Sequence, residues 1–387
     1  MLYIKEQKNI LSLILPGADK YHALLESLGD FFEHEILPAA KKVDQDGTFP
    51  RQNLEQLQKK GIMAMPFPEE YNGAGLPFPV YITAIEMLAR ACANTALQVS
   101  IQGMVCEGIR LFGDDHPKKE FLREKGLVEG KHLIAFALTE PCCGSDAKSI
   151  QTRAVLSGDA YILNGSKILI SNAGEADFTL VFAKAGNGIS SFIVPKGTPG
   201  FTVMRDIPKL GFRGNSLSAI RLKDCRVSRE NLLGNEGQGL EQAKQLLNSG
   251  RLTIAAIAVG IAQAAYEKAL SYSKNRKAFG ESLSHFQLVQ EKLADMVTGI
   301  QASRLLVYYA AGLKDKGGDI AGGAAQAKLF ASETAVSVCD KAIQIHGGYG
   351  YIDEYDVHRH WRDARMLSIG EGTSDMLRLL IAHLALK

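Results

Sequence analysis

Glu371 stands alone between two glycines, in Met366-Leu367-Ser368-Ile369-Gly370-Glu371-Gly372-Thr373-Ser374-Asp375. An apolar run precedes it, and Met376, Leu377, Leu380 and Ile381 follow on one side of a helix that Thr373 or Ser374 would cap. Apolar surroundings disfavour a charged carboxylate, so its pKa rises and it becomes a general base near neutral pH. The same residues also read as an ordinary solvated loop glutamate. A second stretch, Ala137-Leu138-Thr139-Glu140-Pro141-Cys142-Cys143-Gly144-Ser145-Asp146, breaks a strand at Pro141 and Gly144. Such a loop exposes backbone N–H groups and two hydroxyls, a cradle for polar ring edges or phosphate, or simply a polar turn. Its adjacent cysteines read as small fillers, because a vicinal disulfide is strained. A third, Ser273 to Gly280 with Gln287 just after, offers Arg276, whose planar fork suits a pyrophosphate as well as it suits water. In a fourth, Gln344-Ile345-His346-Gly347-Gly348-Tyr349-Gly350-Tyr351, a helix stops in three glycines where a plain cap needs one. His358 and His360 are two residues apart and share no helix face, so no metal site is expected.

Elements must hold these residues in place. Tyr21 to Lys42 carries a helical apolar stripe, Tyr81–Cys92 and Thr95–Phe112 repeat it, and the run Pro66 to Pro79 intervenes. From Leu133 the texture changes to short β-branched and aromatic runs: Gln151–Leu156, Ala160–Leu163, Phe178–Phe182, Ile189–Val194 and Phe201–Met204. Ser157-Gly158-Asp159 and Gly186-Asn187-Gly188 mark turns between them, and the spacing predicts an antiparallel domain without crossover helices. Long helices return over Leu240–Ser273, Ser284–Lys314 and Asp319–Ile345. Helices, strands, helices is not the order of a doubly wound sheet. Gly234 to Gly239 is glycine-rich but lacks the strand-loop-helix context of a dinucleotide fingerprint. The expected domains are an N-terminal helical domain (1–130), a middle β-domain (131–238) and a C-terminal helical bundle (239–387).

The chain of 387 residues has 44 basic and 42 acidic side chains, a net charge of +2, which argues against nucleic acid or a polybasic membrane anchor as partner. With 46% apolar and 22% charged residues it reads as an ordinary globular protein. Six scattered cysteines with no CxxC pair fit reduced thiols. Ile10–Pro16 is too short to span a bilayer, and Asn248, Ser249 and Arg251 interrupt the approach to Leu252–Ala265. The expectation is a protein with no membrane span and no signal peptide, placed in the cytoplasm, with the mitochondrial matrix as the open alternative.

In order and spacing the motifs resemble the acyl-CoA dehydrogenase family, most closely its short-chain, butyryl-CoA dehydrogenase-like members. The likeness runs from about Tyr21 to the C-terminus. Thr139–Asp146 matches a TEPxxGSD loop, Asn164–Asn172 an NGxKxxI[ST]N strand, Arg276–Gly280 an RxxFG loop, Gln344–Tyr351 a QxxGGxGY turn and Glu371–Ser374 an EGTS helix start. The resemblance implies a mainly α fold: an N-terminal helical domain, a β-barrel-like middle domain and a C-terminal four-helix bundle. It further implies FAD, an acyl-CoA substrate, an electron-transfer flavoprotein as acceptor, and a homotetramer built as a dimer of dimers.

By the same likeness Glu371 takes the α-proton of the thioester while the flavin takes the β-hydride, giving a 2,3-enoyl-CoA. Some members keep their base at the position of Gly250, which here has no side chain. Phe136, Leu138, Thr139, Leu169, Ile170 and Ser171 would line the flavin, with the Ser171 hydroxyl near N5. Ser145 and Gly372 would touch substrate, and Asn248 and Arg251 the CoA portion. Arg276, Phe279, Gln287, Gln344, Gly347 and Gly348 would hold the FAD of an adjacent subunit; Thr373 and Asp375 would contact their own. Leu169 stands where many members have tryptophan, and Gly370 where tyrosine is common. Gln98 and Gln102 match the pocket floor, where polar groups would suit a short, branched or alicyclic acyl chain. An oxidase, a reductase run through the same site, or a flavin-bearing scaffold are the competing readings.

Overall fold

The computed structural model describes residues 2–386. Helix α1 (Leu2–Ile14) is followed by α2 (His22–Phe31), α3 (Leu37–Asp46) and α4 (Arg51–Lys59). Between α2 and α3 the chain widens into a π-type turn over Phe32–Ile36. Pro38 follows at once and has no N–H to return to the preceding turn, so the regular ladder fails there. Helix α5 (Phe78–Phe112) is buried on nearly every face, which is why its apolar residues show no single stripe. The two segments expected from the sequence are its two halves: Cys92 leaves helical geometry at φ −150°, ψ 100°, and the rod continues beyond it.

After a short α6 (Asp115–Pro117) comes the sheet: β1 (Ile134–Ala137), β2 (Arg153–Ser157), β3 (Ala160–Ser171), β4 (Phe178–Ala185), β5 (Gly188–Pro195), β6 (Phe201–Val203) and β7 (Leu217–Ser228). Its order is β1-β4-β2-β3-β7-β6, with β5 on the other side of β4. The expectation of a wholly antiparallel domain needs correction. β1 pairs parallel with β4, Ile134 opposite Phe178, and β2 touches β4 in parallel at Arg153 and Lys184. The chain between β1 and β4 holds a loop and a hairpin, long enough to carry a parallel return. Both expected turns are present, with Gly158 and Gly186 at positive φ.

Helices α7 (Gly239–Asn275), α8 (Gln287–Asp315) and α9 (Ala321–His346) then pack together, with α10 (Val357–Leu367) and α11 (Ser374–Ala385) beside them. By length and apolarity α7 alone among the described helices could cross a membrane, contrary to the sequence reading, but most of its apolar stretch is core packed on α5, α8 and α9. Gly260 makes the α5 contact possible: a Cβ there would lie 2.4 Å from the Glu86 carbonyl oxygen and 2.8 Å from the Arg90 backbone nitrogen. The β-domain is tied to α7 by Ser191, which donates to Gln242 Oε1 at 2.6 Å. It is tied to α10 by the Phe212 N–H, which donates to Asp363 at 2.5 Å.

Candidate active site

Glu371 occupies the turn between α10 and α11 with φ +52°, a left-handed conformation uncommon for a residue with a side chain. Such strain persists where the surroundings over-determine it. Arg251 of α7 donates to the Glu371 carbonyl at 3.4 Å and to Asn248 Oδ1 at 2.7 Å. Lys328 of α9 donates to the Gly372 carbonyl at 2.6 Å. Thr373 caps α11 by accepting from the Met376 N–H at 3.2 Å. Held from both flanks, the carboxyl group turns inward onto α7. A Cβ on Gly250 would fall 2.4 Å from Glu371 Oε2 and 2.8 Å from Met104 Sδ, so carboxylate and thioether meet over a glycine. Oε2 is buried without a hydrogen-bond partner. Burial pushes the Glu371 pKa up to about 7, against the opposing pull of Lys328 and Arg251. Desolvation in turn lowers Lys328 to about 8.

Lys328 is absent from the sequence reading, although it carried a signal: a lone lysine among Ala324, Ala325, Ala327 and Ala331 on an otherwise small-residue stretch. Fully buried, it supplies the charge that faces the base.

On the β-domain side, Glu140 and Lys167 form a buried ion pair at 2.7 Å that joins the Thr139–Asp146 loop to β3. The Ile168 N–H donates to the Thr139 carbonyl at 3.0 Å, completing the staple. Pairing between β3 and β7 shifts register between Lys167 and Ile170. At that bulge Leu169 takes φ +59° and stands exposed, while Ile170 is buried beneath it. Ser171 then accepts from Asn215 Nδ2 at 3.0 Å, and Asn215 Oδ1 accepts from Gln98 Nε2 at 3.1 Å. With its oxygen accepting, the Ser171 hydroxyl proton is free to donate elsewhere. Cys142 and Cys143 are free thiols with sulfurs 3.0 Å apart.

The two glutamines on α5 have their amides on the β-domain side. Gln102 is corrected from the substrate set: Nε2 donates to the carbonyls of Leu127 and His132, at 2.7 and 3.0 Å, and Oε1 accepts from the Ile134 N–H at 2.9 Å. Its amide is thus committed to backbone that leads into β1, with one Oε1 lone pair left over. Gln98 faces Asn215 and keeps only Oε1 unpartnered. Ser100 and Met104, on the opposite face of the same helix, meet α7 beside Gly250, Ser100 at 2.5 Å from Thr253 Oγ1. Gln102→Leu is therefore expected to lower unfolding free energy by roughly 2–4 kcal/mol, from three orphaned backbone groups. Denaturant unfolding checks this, and the order of preference among acyl substrates should not change.

The remaining expected residues gather at another end of the bundle. Arg276, Phe279, Gln287, Gln344, Gly347 and Gly348 are all exposed, Phe279 at 97%. His346 stacks on Tyr272 at 4.3 Å and Arg276 lies over Tyr349 at 5.4 Å, which brings the ends of α7 and α9 together. No atom lies within 4 Å of where a Cβ on Gly280, Gly347 or Gly348 would stand, so another molecule's backbone or ligand can approach closely. Asp375 is exposed at the start of α11, and Ser145 is exposed on its loop.

Fold and site define a class. Residues 18–129, 135–225 and 237–386 match the family models for the N-terminal, middle and C-terminal domains of acyl-CoA dehydrogenase. The chain belongs to the acyl-CoA dehydrogenase family, FAD-dependent enzymes that dehydrogenate acyl-CoA thioesters in fatty-acid β-oxidation. It is 45% identical to the probable acyl-CoA dehydrogenase YngJ of Bacillus subtilis, over 94% of this chain and 97% of that one. It is 41% identical to the human short-chain specific mitochondrial enzyme, over 94% and 89%. The solved butyryl-CoA dehydrogenase of Megasphaera elsdenii superposes with a TM-score of 0.91 at 40% identity, over 94% and 97%. The residues present fit FAD: Leu169 and Phe136 offer apolar surface, Thr139 and Ser171 offer hydroxyls, and the three open glycines offer close approach.

Proposed function

We propose that this enzyme oxidises a short-chain acyl-CoA to the 2,3-enoyl-CoA, with Glu371 as the base that removes the α-proton. The observation that carries the reading is a carboxylate with a buried, unpartnered oxygen and a pKa near 7, turned onto Gly250. The position of Gly250, where some members keep the base, and the Glu371 carboxyl group claim the same space, so one side chain there excludes the other. Bound FAD supplies the acceptor for the hydride. The Glu371 backbone N–H makes no hydrogen bond among the described residues, which leaves it to donate to the thioester carbonyl and stabilise developing enolate charge. Arg251 fixes the turn that aims both groups, and Asn248 fixes Arg251. In this reading Ser145 and Gly372 touch the substrate, and Asn248 and Arg251 hold the CoA portion.

Support for a short chain comes from the likeness to short-chain and butyryl-CoA enzymes, and from two thioethers near the base. Met104 meets the carboxylate, and Met366 Sδ would lie 2.9 Å from a Cβ on Gly370, filling the room that a tyrosine would take. With Gln102 withdrawn, polarity of the floor no longer argues for a branched or alicyclic chain. The exposed set around Arg276 and Phe279 supports a homotetramer in which this end of one subunit completes the FAD site of another. The electron acceptor in this reading is an electron-transfer flavoprotein, and the setting is cytoplasm or mitochondrial matrix.

A panel of straight, branched and cyclic acyl-CoAs, scored by anaerobic bleaching of the flavin, tests the substrate. Butyryl-CoA should bleach fastest; no bleaching by any member would sink the reading. The base must be ionised to act, so kcat/KM should rise with pH through about 7 and then level off. Lys328→Gln removes the cation that opposes the upward shift while keeping a donor for Gly372. The midpoint should move to higher pH, with a several-fold loss of rate at pH 7 and a nearly unchanged plateau.

A further inference from the structure

A recess of about 200 Å³ lies between α5, α7, the end of α8 and the chain leading into α5, and Met104, which meets Glu371 over Gly250, is part of its wall. Ser249 and Thr253, which flank Gly250 on α7, line it, so the recess begins one thioether away from the base. Its polar groups are unequally spent. Lys314 donates to Glu107 at 2.7 Å and to Ser249 Oγ at 2.7 Å, and lies 4.0 Å from the centre of the Phe78 ring. Asp315 accepts from the Phe78 N–H at 2.8 Å. Both carboxylates are thus engaged. Arg110, by contrast, makes no hydrogen bond or ion pair among the described residues, and the Tyr81 hydroxyl is buried, 2% exposed, without a partner. What remains unspent is a set of donors: the dry Tyr81 hydroxyl, whose isolation is costly, and the half-buried Arg110 guanidinium, which water can reach.

We propose that this recess is a second subsite for the far end of the acyl chain, and that it takes a chain ending in a carboxylate. The proposal rests on Glu371 being the base, since that fixes where the thioester end lies. Arg110 and Tyr81 would receive the carboxylate, a charge-assisted pairing of the kind a guanidinium favours. Met104, unbranched and flexible, is the door: turned one way it closes a short pocket, turned the other it lets a longer chain through.

The test uses the FAD-loaded enzyme and matched pairs of thioesters, adipyl-CoA against hexanoyl-CoA and suberyl-CoA against octanoyl-CoA, with dissociation constants read from the flavin spectrum. The carboxylate-ended member should bind about tenfold tighter in at least one pair. Arg110→Gln should abolish that preference and Tyr81→Phe reduce it several-fold, with butyryl-CoA turnover unchanged in both. Met104→Ala should tighten binding of both longer pairs. A preference for the monocarboxylic member throughout, or one that survives Arg110→Gln, would overturn the proposal. So would free adipate competing as well as its thioester, which would make the recess an independent anion site. Butyryl-CoA is the control: if it fails to bleach the flavin, the reading of Glu371 falls while the binding constants still report on the recess.

Discussion

Glu371→Gln should keep its flavin and lose turnover of butyryl-CoA by a factor of roughly 10²–10⁴, the range expected when a positioned base is removed. An amide cannot take the α-proton, yet it fills the same volume against Gly250 and Met104. Substrate binding measured by spectral titration should therefore change little while the rate of flavin reduction collapses. The same variant should also be the more stable protein at high pH. In the wild type, burial raises the folded-state pKa from 4.5 to about 7, so the folded protein holds a proton that the unfolded chain has released. Stability contributed by that proton is present below about pH 4.5 and is lost as pH rises through 7. Glutamine does not titrate. The advantage of the variant over the wild type should grow by on the order of 1–3 kcal/mol between pH 5 and pH 8, after allowance for the partial exposure of the residue. Unfolding curves at the two pH values measure it, and an advantage that stays flat would mean that the carboxylate is solvated.

Much of this arrangement is legible in the amino-acid order, for physical reasons that differ from residue to residue. Glu371 is legible because isolation between glycines and apolar flanks is a local property. The helical rods are legible because burial fixes their period. Gln102 is not: its fate depends on backbone groups of Leu127, His132 and Ile134, brought to it by the return of the chain into β1. Polarity of a side chain on a helix says that it needs partners, not which side of the helix offers them. The parallel pairing of β1 with β4 is hidden likewise, because strand direction is a property of the whole domain. Asn215 carries no local mark either, since it matters only through Gln98 on one side and Ser171 on the other. Lys328 lies between these cases, conspicuous as a charge among alanines yet assignable only once α9 is packed beside the turn at Gly372.

Lys167→Met should be the most damaging substitution away from the base, lowering unfolding free energy by about 3–5 kcal/mol. Glu140 is held by four donors: the Lys167 ammonium, the Gln151 and Thr152 N–H groups, at 2.7, 2.5 and 3.0 Å, and more weakly the Cys142 thiol at 3.8 Å. Lys167 also donates to the Leu138 carbonyl at 3.1 Å. Together they keep the Glu140 pKa below its ordinary value despite burial. Without the ammonium, desolvation dominates and that pKa rises above its value in the unfolded chain. Stability of the variant should then be greatest in mild acid and fall as pH rises, so the deficit against wild type is larger at pH 8 than at pH 5. Loss of the ion pair also leaves the Thr139 loop held to β3 by the Ile168 N–H alone among the described bonds, beside Leu169 and Ser171, where the flavin is proposed to rest. FAD should dissociate more readily, by tenfold or more in a spin-column retention assay. Glu140→Gln combined with Lys167→Met separates charge from shape. If the double variant regains stability but not flavin, the pair acts on the cofactor by holding the loop against β3; if it regains both, removal of a lone buried charge is all that was at stake.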